Sequence, residues 1–410
     1  MGRHEPVDDW ASDFDHTDDA WAADPYPIWD RLRRTCPIAH TERYGGVWLP
    51  TRHEDVAAIA YDTERFTSRS VIVSKFRPPH ELAPAGIAPP ISSDPPYHSG
   101  ARRMLLPAFS PQAVARYEGS TREYCRELVA AMDGQDVVDA AVGYAQHIPV
   151  RVIADMLGLP ESDADLFRGF VHHVLEGVDK SIEERAAGMG DLFGYLNGHI
   201  EDHKANPRDD LISFLLDAEL DGEKLDTFQV GRTIALLLIA GIDTTWSAIG
   251  ASIWHLAGTP ADRERLVREP ELLPVAMEEL LRAYAPVTMA RLVRVDMDYK
   301  GCAMKADDFV LLPFPSANRD AEVWDSPDAV ILDREANRHA AFGLGIHRCA
   351  GSHLARMELR VALEVWLESF PEFHLADPAA VRWSAGQVRG PRVLPVRIAR
   401  RRERPAAQQR

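Results

Sequence analysis

Between Asp226 and Leu256 the chain runs for about thirty residues without a proline, and from Ile234 to Ile242 its side chains are apolar on every side. Asp226 or Thr227 can cap the start of a helix there, and at 1.5 Å per residue such a helix is roughly 45 Å long. A helix that is apolar all round must be enclosed, by protein or by lipid. Asp243 breaks the apolar run and no basic flank marks an end, so enclosure by protein is expected rather than a membrane span. The helix would cross the whole protein.

Composition narrows the partners. Of 410 residues, 46 are Lys or Arg and 63 are Asp or Glu, a formal charge of −17 that disfavours nucleic acid or an anionic membrane surface. Cys36, Cys125, Cys302 and Cys349 are scattered without a disulfide framework, which fits a reducing cytosol, and a cytoplasmic location is expected. Asp8, Asp9, Asp13, Asp15, Asp18, Asp19 and Asp24 crowd the start of the chain and leave no apolar stretch for a secretory peptide or anchor. Residues 1–20 and 400–410 read as flexible ends.

The stretch from Phe342 to Gly351 places one cysteine, Cys349, among Gly343, Gly345 and Gly351, just before a proline-free run from Ala350 to Phe370 that reads as a helix. A thiol at a helix N-terminus faces unpaired N–H groups and the positive end of the dipole, which bias it toward the metal-binding thiolate. Gly343 and Gly345 permit a tight turn aimed at the sulfur, and Gly351 clears a surface that something flat could approach. A buried structural cysteine is the commoner outcome for an arbitrary thiol. A zinc site on His347, Cys349 and His353 lacks a second pair of ligands at suitable spacing.

Three further patterns carry chemistry. Within the long helix stands Ala240-Gly241-Ile242-Asp243-Thr244-Thr245. Gly241 loosens the helix, and the Thr244 hydroxyl can bond the Ala240 carbonyl four residues back, a combination that tends to open a helix. An acid as deep as Asp243 must be paired or have work to do. His98 and Arg102, four apart, share a helical face and can converge on one anion, or be solvated surface charges. Glu279 and Arg282, three apart, also share a face; in isolation such a pair is a weak surface salt bridge.

Phe342-Gly-x-Gly-x-His-x-Cys-x-Gly351 resembles the haem-ligand loop of the cytochrome P-450 superfamily, and the other motifs fall in the family's order over nearly the whole chain. The resemblance implies a single mainly α domain over 1–410 that encloses haem beside a small β-rich portion, overriding the two or three domains that length suggests. It further implies haem b with Cys349 as axial thiolate, and a loop of Phe342, Gly343, Gly345, His347 and Gly351 around it. By position His98, Arg102, Arg291 and His347 would hold the propionates, with Ala240 beside the haem. Asp243 and Thr244 would relay protons to the reacting oxygen. Glu279 and Arg282, with Arg334 as a third partner, would be structural; around Arg334 the match is looser, because Val330 and Leu332 stand where the family often has Phe and Pro.

The implied reaction inserts one atom of O2 into an apolar small molecule. Electrons would come from a separate ferredoxin or flavodoxin and its NAD(P)H reductase, since nothing in the chain resembles a flavin or iron–sulfur domain. Arg102, Arg103, Arg348, Arg356 and Arg360 would form a basic face for that partner. Leu236, Ile239, Ala240, Val287 and Met289 are expected to wall the substrate pocket. Ser70 to Pro96, proline-rich yet carrying Val71, Ile72, Val73, Phe76, Ile87 and Ile91, would be the loop over it. Asp163 to Lys204, thinned by Gly177, Gly188, Gly190, Gly194 and Gly198, would be a mobile helix pair lidding the pocket. Gln387 and Arg389 add a polar anchor if they face inward and are otherwise exposed. A peroxide-driven or bond-coupling member of the family is the alternative enzyme, and a non-catalytic haem sensor the alternative from another class.

Overall fold

The structure, a computed structural model, describes residues 5–175 and 182–399; Gly177 and residues 400–410 lie outside this set. The long helix is Thr227–Gly258, opened by the expected cap: the Asp226 carboxylate accepts from the Gln229 N–H, and the Gln229 side chain accepts from the Asp226 N–H. It has the length and apolarity of a membrane span, but 61% of its most apolar stretch is buried inside the fold. Helices His147–Leu157, Ala164–Leu175, Ile182–Ala205 and Ser352–Ser369 pack against it. Their apolar faces form one core with residues such as Ile153, Leu238, Leu363 and Trp366. Lateral enclosure of this kind explains why the helix has no polar face.

The β portion is small. Its main sheet runs in the order Ile38–Thr41, Val47–Pro50, Phe309–Pro313, Thr288–Val293, Phe66–Thr67, with one parallel pairing, between Phe309–Pro313 and Val47–Pro50. Phe309–Pro313 is buried at every residue, as a central strand covered on both faces must be. A second sheet joins Glu372–Leu375, Pro395–Ala399 and Val137–Asp139.

Helices Pro111–Ala115 and Glu118–Ala130 follow one another, and a wide turn at Ala141–Ala145 leads into His147–Leu157. The start of the chain differs from expectation. Residues 1–20 were expected to be a flexible end, yet Phe14, Asp15 and His16 are buried at 1% exposure. Arg43 explains this: its guanidinium binds both Asp13 and Asp15, anchoring the acidic segment to the sheet's edge. Ala399, the start of the basic tail, is the last residue of a paired strand.

Candidate active site

Helix Ser352–Ser369 begins at Gly351, so Cys349 sits two residues before it, on the loop. The loop folds back on itself through the Cys349 N–H, which donates to the Phe342 carbonyl at 2.7 Å. Gly345 adopts φ +70°, and a Cβ there would lie 2.3 Å from the Ala60 carbonyl oxygen, so no other residue fits the turn. The Gly351 N–H points at the sulfur, as expected of a helix start. Burial pushes the thiol up, while the Gly351 N–H at the helix start, with Arg102, Arg348 and Arg356, favours the thiolate. Cys349 has surface open to contact because it faces an internal cavity, while protein surrounds it on the other sides.

That cavity is walled on one side by Phe342, Gly343, Leu344, Cys349, Ala350 and Gly351, and on the other by Ala240, Gly241, Thr244, Thr245 and Ala248 of the long helix. The Thr244 hydroxyl donates to the Ala240 carbonyl at 2.9 Å, the expected bond, while the helix continues without interruption to Gly258. Asp243, one position away, does not line the cavity. It is 1% exposed and paired with Arg392 at 2.7 Å. Arg392 lies on the strand Pro391–Val393, donates to Ser247 Oγ at 3.1 Å and stacks over Trp246 at 4.2 Å. Sequence reasoning missed this arginine, because nothing in spacing links positions 243 and 392; a buried acid in need of a cation was the available signal.

Charge collects at one edge. Arg291 is buried, and the hydrogen bond its guanidinium makes goes to the carbonyl of neighbouring Ala290. Burial brings its pKa down to about 10. His98 and His347 meet edge to face at 4.4 Å, and His98 Nε2 has no partner. Burial, and then the nearby arginines, lower His98 to about 4 and His347 to about 2. Ser68 Oγ lies 2.8 Å from His347 Nε2, and Arg102 donates to the Arg348 carbonyl. Arg291 is thus a buried cation offset by one backbone carbonyl and nearby Asp94, beside two imidazoles held neutral, a setting that an arriving anion would relieve.

Of the residues expected to wall the substrate pocket, Leu236, Ala240, Val287 and Met289 line this cavity. Ile239 is a correction: the helix presents Leu236, Leu237, Ala240, Gly241, Thr244 and Thr245 to the cavity, and Ile239 packs into the core instead. From the proline-rich loop Val71, Pro90 and Ile91 reach the cavity, whereas Phe76 and Ile87 are exposed. Gln387 is buried at 2%, with neither side-chain oxygen nor nitrogen partnered. Arg389 reaches away from the cavity to the carbonyls of Ala22 and Ala23.

Glu279 and Arg282 are fully buried and paired through two bonds of 2.8 Å, and Arg334 adds a third at 3.0 Å. Arg282 also donates to the carbonyls of Asn318, Pro327 and Ala329, binding the helix to the chain that leads to the cysteine loop.

The sequence model described as Cytochrome P450 matches residues 156–378. The chain is 37% identical over 391 residues to the nocardicin C N-oxygenase of Nocardia uniformis subsp. tsuyamanensis, covering 92% of this chain and 96% of that protein. The chain belongs to the cytochrome P450 family. It is also 34% identical to the mycinamicin IV hydroxylase/epoxidase of Micromonospora griseorubida, over 89% of this chain and 93% of that one. Its backbone superposes on the cytochrome P450 PksS of Bacillus subtilis with a TM-score of 0.85 at 30% identity, covering 94% of this chain and all of that structure. It is therefore a P450 monooxygenase, and its cofactor is haem b held by a cysteine thiolate. The residues present fit that group: a thiol on one wall, an unpartnered imidazole nitrogen and buried Arg291 at one edge, and apolar walls between.

Proposed function

We propose that this P450 oxidises an apolar small molecule in the cytoplasm with O2 and electrons from a separate ferredoxin or flavodoxin and its NAD(P)H reductase. One observation carries the reading: Cys349 and Thr244 face each other across a single cavity whose remaining walls are almost wholly hydrocarbon. Thiolate-ligated haem iron supplies oxygen activation, with one atom going to the substrate and the other to water. The protein supplies the rest. Cys349 gives the sulfur ligand, and His98, Arg102, Arg291 and His347 neutralise the propionates. Val71, Ile91, Leu236, Val287 and Met289 orient the substrate and exclude water. Thr244 holds a hydroxyl proton at the edge of the space where oxygen reacts. Asp243, on another side of the same helix and paired with Arg392, would supply protons toward that hydroxyl.

The names of the relatives record hydroxylation, epoxidation and N-oxygenation, which fits an oxygen-inserting role for this chain, and the Asp243–Thr244 pair, a relay that a peroxide user does not need, favours O2 as the oxidant. The test combines two measurements. The reduced, carbon monoxide-bound protein should absorb near the wavelength diagnostic of thiolate ligation, and Cys349→Ser should abolish that band. With NADH, ferredoxin and reductase, cofactor consumption should be coupled to an oxygenated product. A band that survives Cys349→Ser overturns the reading.

A further inference from the structure

Arg232, on the long helix one turn before Leu236, donates Nε to the Ile87 carbonyl at 2.8 Å and Nη2 to the Gly86 carbonyl. Its guanidinium also lies 5.2 Å from the Phe228 ring, so the head group is held from both sides. The segment it grips is a closed body. The Asp94 N–H donates to the Pro84 carbonyl at 2.8 Å and seals its base. Inside, the Ala88 N–H donates to Ser92 Oγ at 2.7 Å, and the Ser92 N–H returns to the Ala88 carbonyl at 3.1 Å. Gly86 sits at φ +71°, where a Cβ would fall 2.0 Å from the Ser92 carbonyl oxygen. The base is fixed separately, since the Asp94 carboxylate accepts from Thr67, the Ser68 N–H and Arg294.

The tip is held differently. Among the described residues, the Gly86 N–H donates back to the Leu82 carbonyl at 2.7 Å in the turn that leads into the segment, and the hydrogen bonds that tie residues 85–91 to anything outside 80–94 come from Arg232 alone. This tip carries Pro90 and Ile91 into the cavity, while Ile87 on its outer side is 48% exposed.

We propose that Arg232 is a positioning residue that latches the 84–94 segment over the pocket, so that Pro90 and Ile91 clamp the apolar part of a substrate and the latch sets its residence time. This rests on the reading of the cavity as the oxygenation pocket. Two hydrogen bonds from one guanidinium hold a stiff segment whose base stays anchored when they break. The segment then swings as a unit and releases whatever Ile91 touches.

The test uses holoprotein and two azoles that ligate haem iron, followed by stopped-flow absorbance. 4-Phenylimidazole carries an aryl group into the apolar part of the cavity, which Pro90 and Ile91 line; imidazole carries none. Arg232→Gln should raise the 4-phenylimidazole dissociation rate about tenfold, the loss expected for roughly two hydrogen bonds, and leave imidazole within twofold. Ile91→Ala should also speed 4-phenylimidazole, and adding Arg232→Gln to it should have little further effect, because both act through one contact. Additive effects, or equal acceleration of both azoles, would show that Arg232 does not act through the clamp. A parent protein with no azole-induced shift removes the pocket reading and the latch together. A parent that shifts, with a variant releasing 4-phenylimidazole at the parent rate and an intact carbon monoxide band, overturns the latch alone.

Discussion

Thr244 and Asp243 are adjacent in sequence and opposite in setting. The threonine opens onto the cavity, and the carboxylate is buried against Arg392. A helix turns by about 100° per residue, and the cavity face takes positions 236, 237, 240, 241, 244 and 245, which leaves position 243 on another side. Replacing Thr244 with Ala removes the only hydroxyl the pair offers to the cavity. Cofactor consumption should continue while hydrogen peroxide rises at the expense of product, measured by oxidase electrode and product assay; unchanged coupling would count against the role. Arg392→Gln removes the guanidinium that holds Asp243. Product formation should fall roughly a hundredfold, the lower end of the range for a lost proton-transfer group, with a larger solvent isotope effect and an unaltered carbon monoxide spectrum. A rate within twofold of the parent would show that the acid works without its cation. The Ala-Gly-x-Asp-Thr-Thr run was legible in the sequence, because its meaning lies within one helical turn. Arg392 was not, since a strand near the far end of the chain supplies it.

At the level of elements, the helix Leu273–Ala283 joins the cysteine loop to the rest of the fold by two acids side by side. Glu279 faces inward and accepts from Arg282, Arg334, Asn337 and the Ile331 N–H. Its neighbour Glu278 takes both arms of Arg356, from the helix after the cysteine, at 2.7 and 2.8 Å, and His339 at 3.0 Å. Burial would raise the Glu278 carboxyl, but Arg356 and His339 bring it down to about 2. A carboxyl lowered on folding stabilises the protein above its unfolded value near 4.5 and loses that contribution as pH falls through 2. Glu278→Gln should therefore lower unfolding free energy at pH 7 by on the order of 3 kcal/mol. In urea titrations the gap to the parent should narrow progressively below pH 4.5, and a gap independent of pH would refute the assignment. The sequence marked Glu279 and Arg282 by their spacing. No spacing marked Glu278, because its partners come from positions 339 and 356.

On the scale of the whole molecule, the five arginines expected to face a redox partner are not equivalent. Arg356 is committed to Glu278, and Arg360 to Glu118 and Glu364, so their charge is largely cancelled. Arg103 and Arg348 remain exposed near the cysteine loop. For an acidic ferredoxin, reduction of the haem should slow as ionic strength rises, and Arg348→Glu should reduce the bimolecular rate about tenfold at low salt, read by stopped flow. Loss of the salt dependence without loss of rate would move the docking surface elsewhere.

By itself the sequence determined the enclosed helix, its cap, the cysteine loop and the short-range motifs, because each is settled by contacts within a turn or two of backbone. Tertiary structure decided which face of the long helix meets the cavity, that Ile239 turns into the core, that Arg392 answers Asp243, and that Arg232 grips the 84–94 segment. Those outcomes depend on desolvation and on partners far apart in the chain, and both exist only once the layers have closed around the long helix.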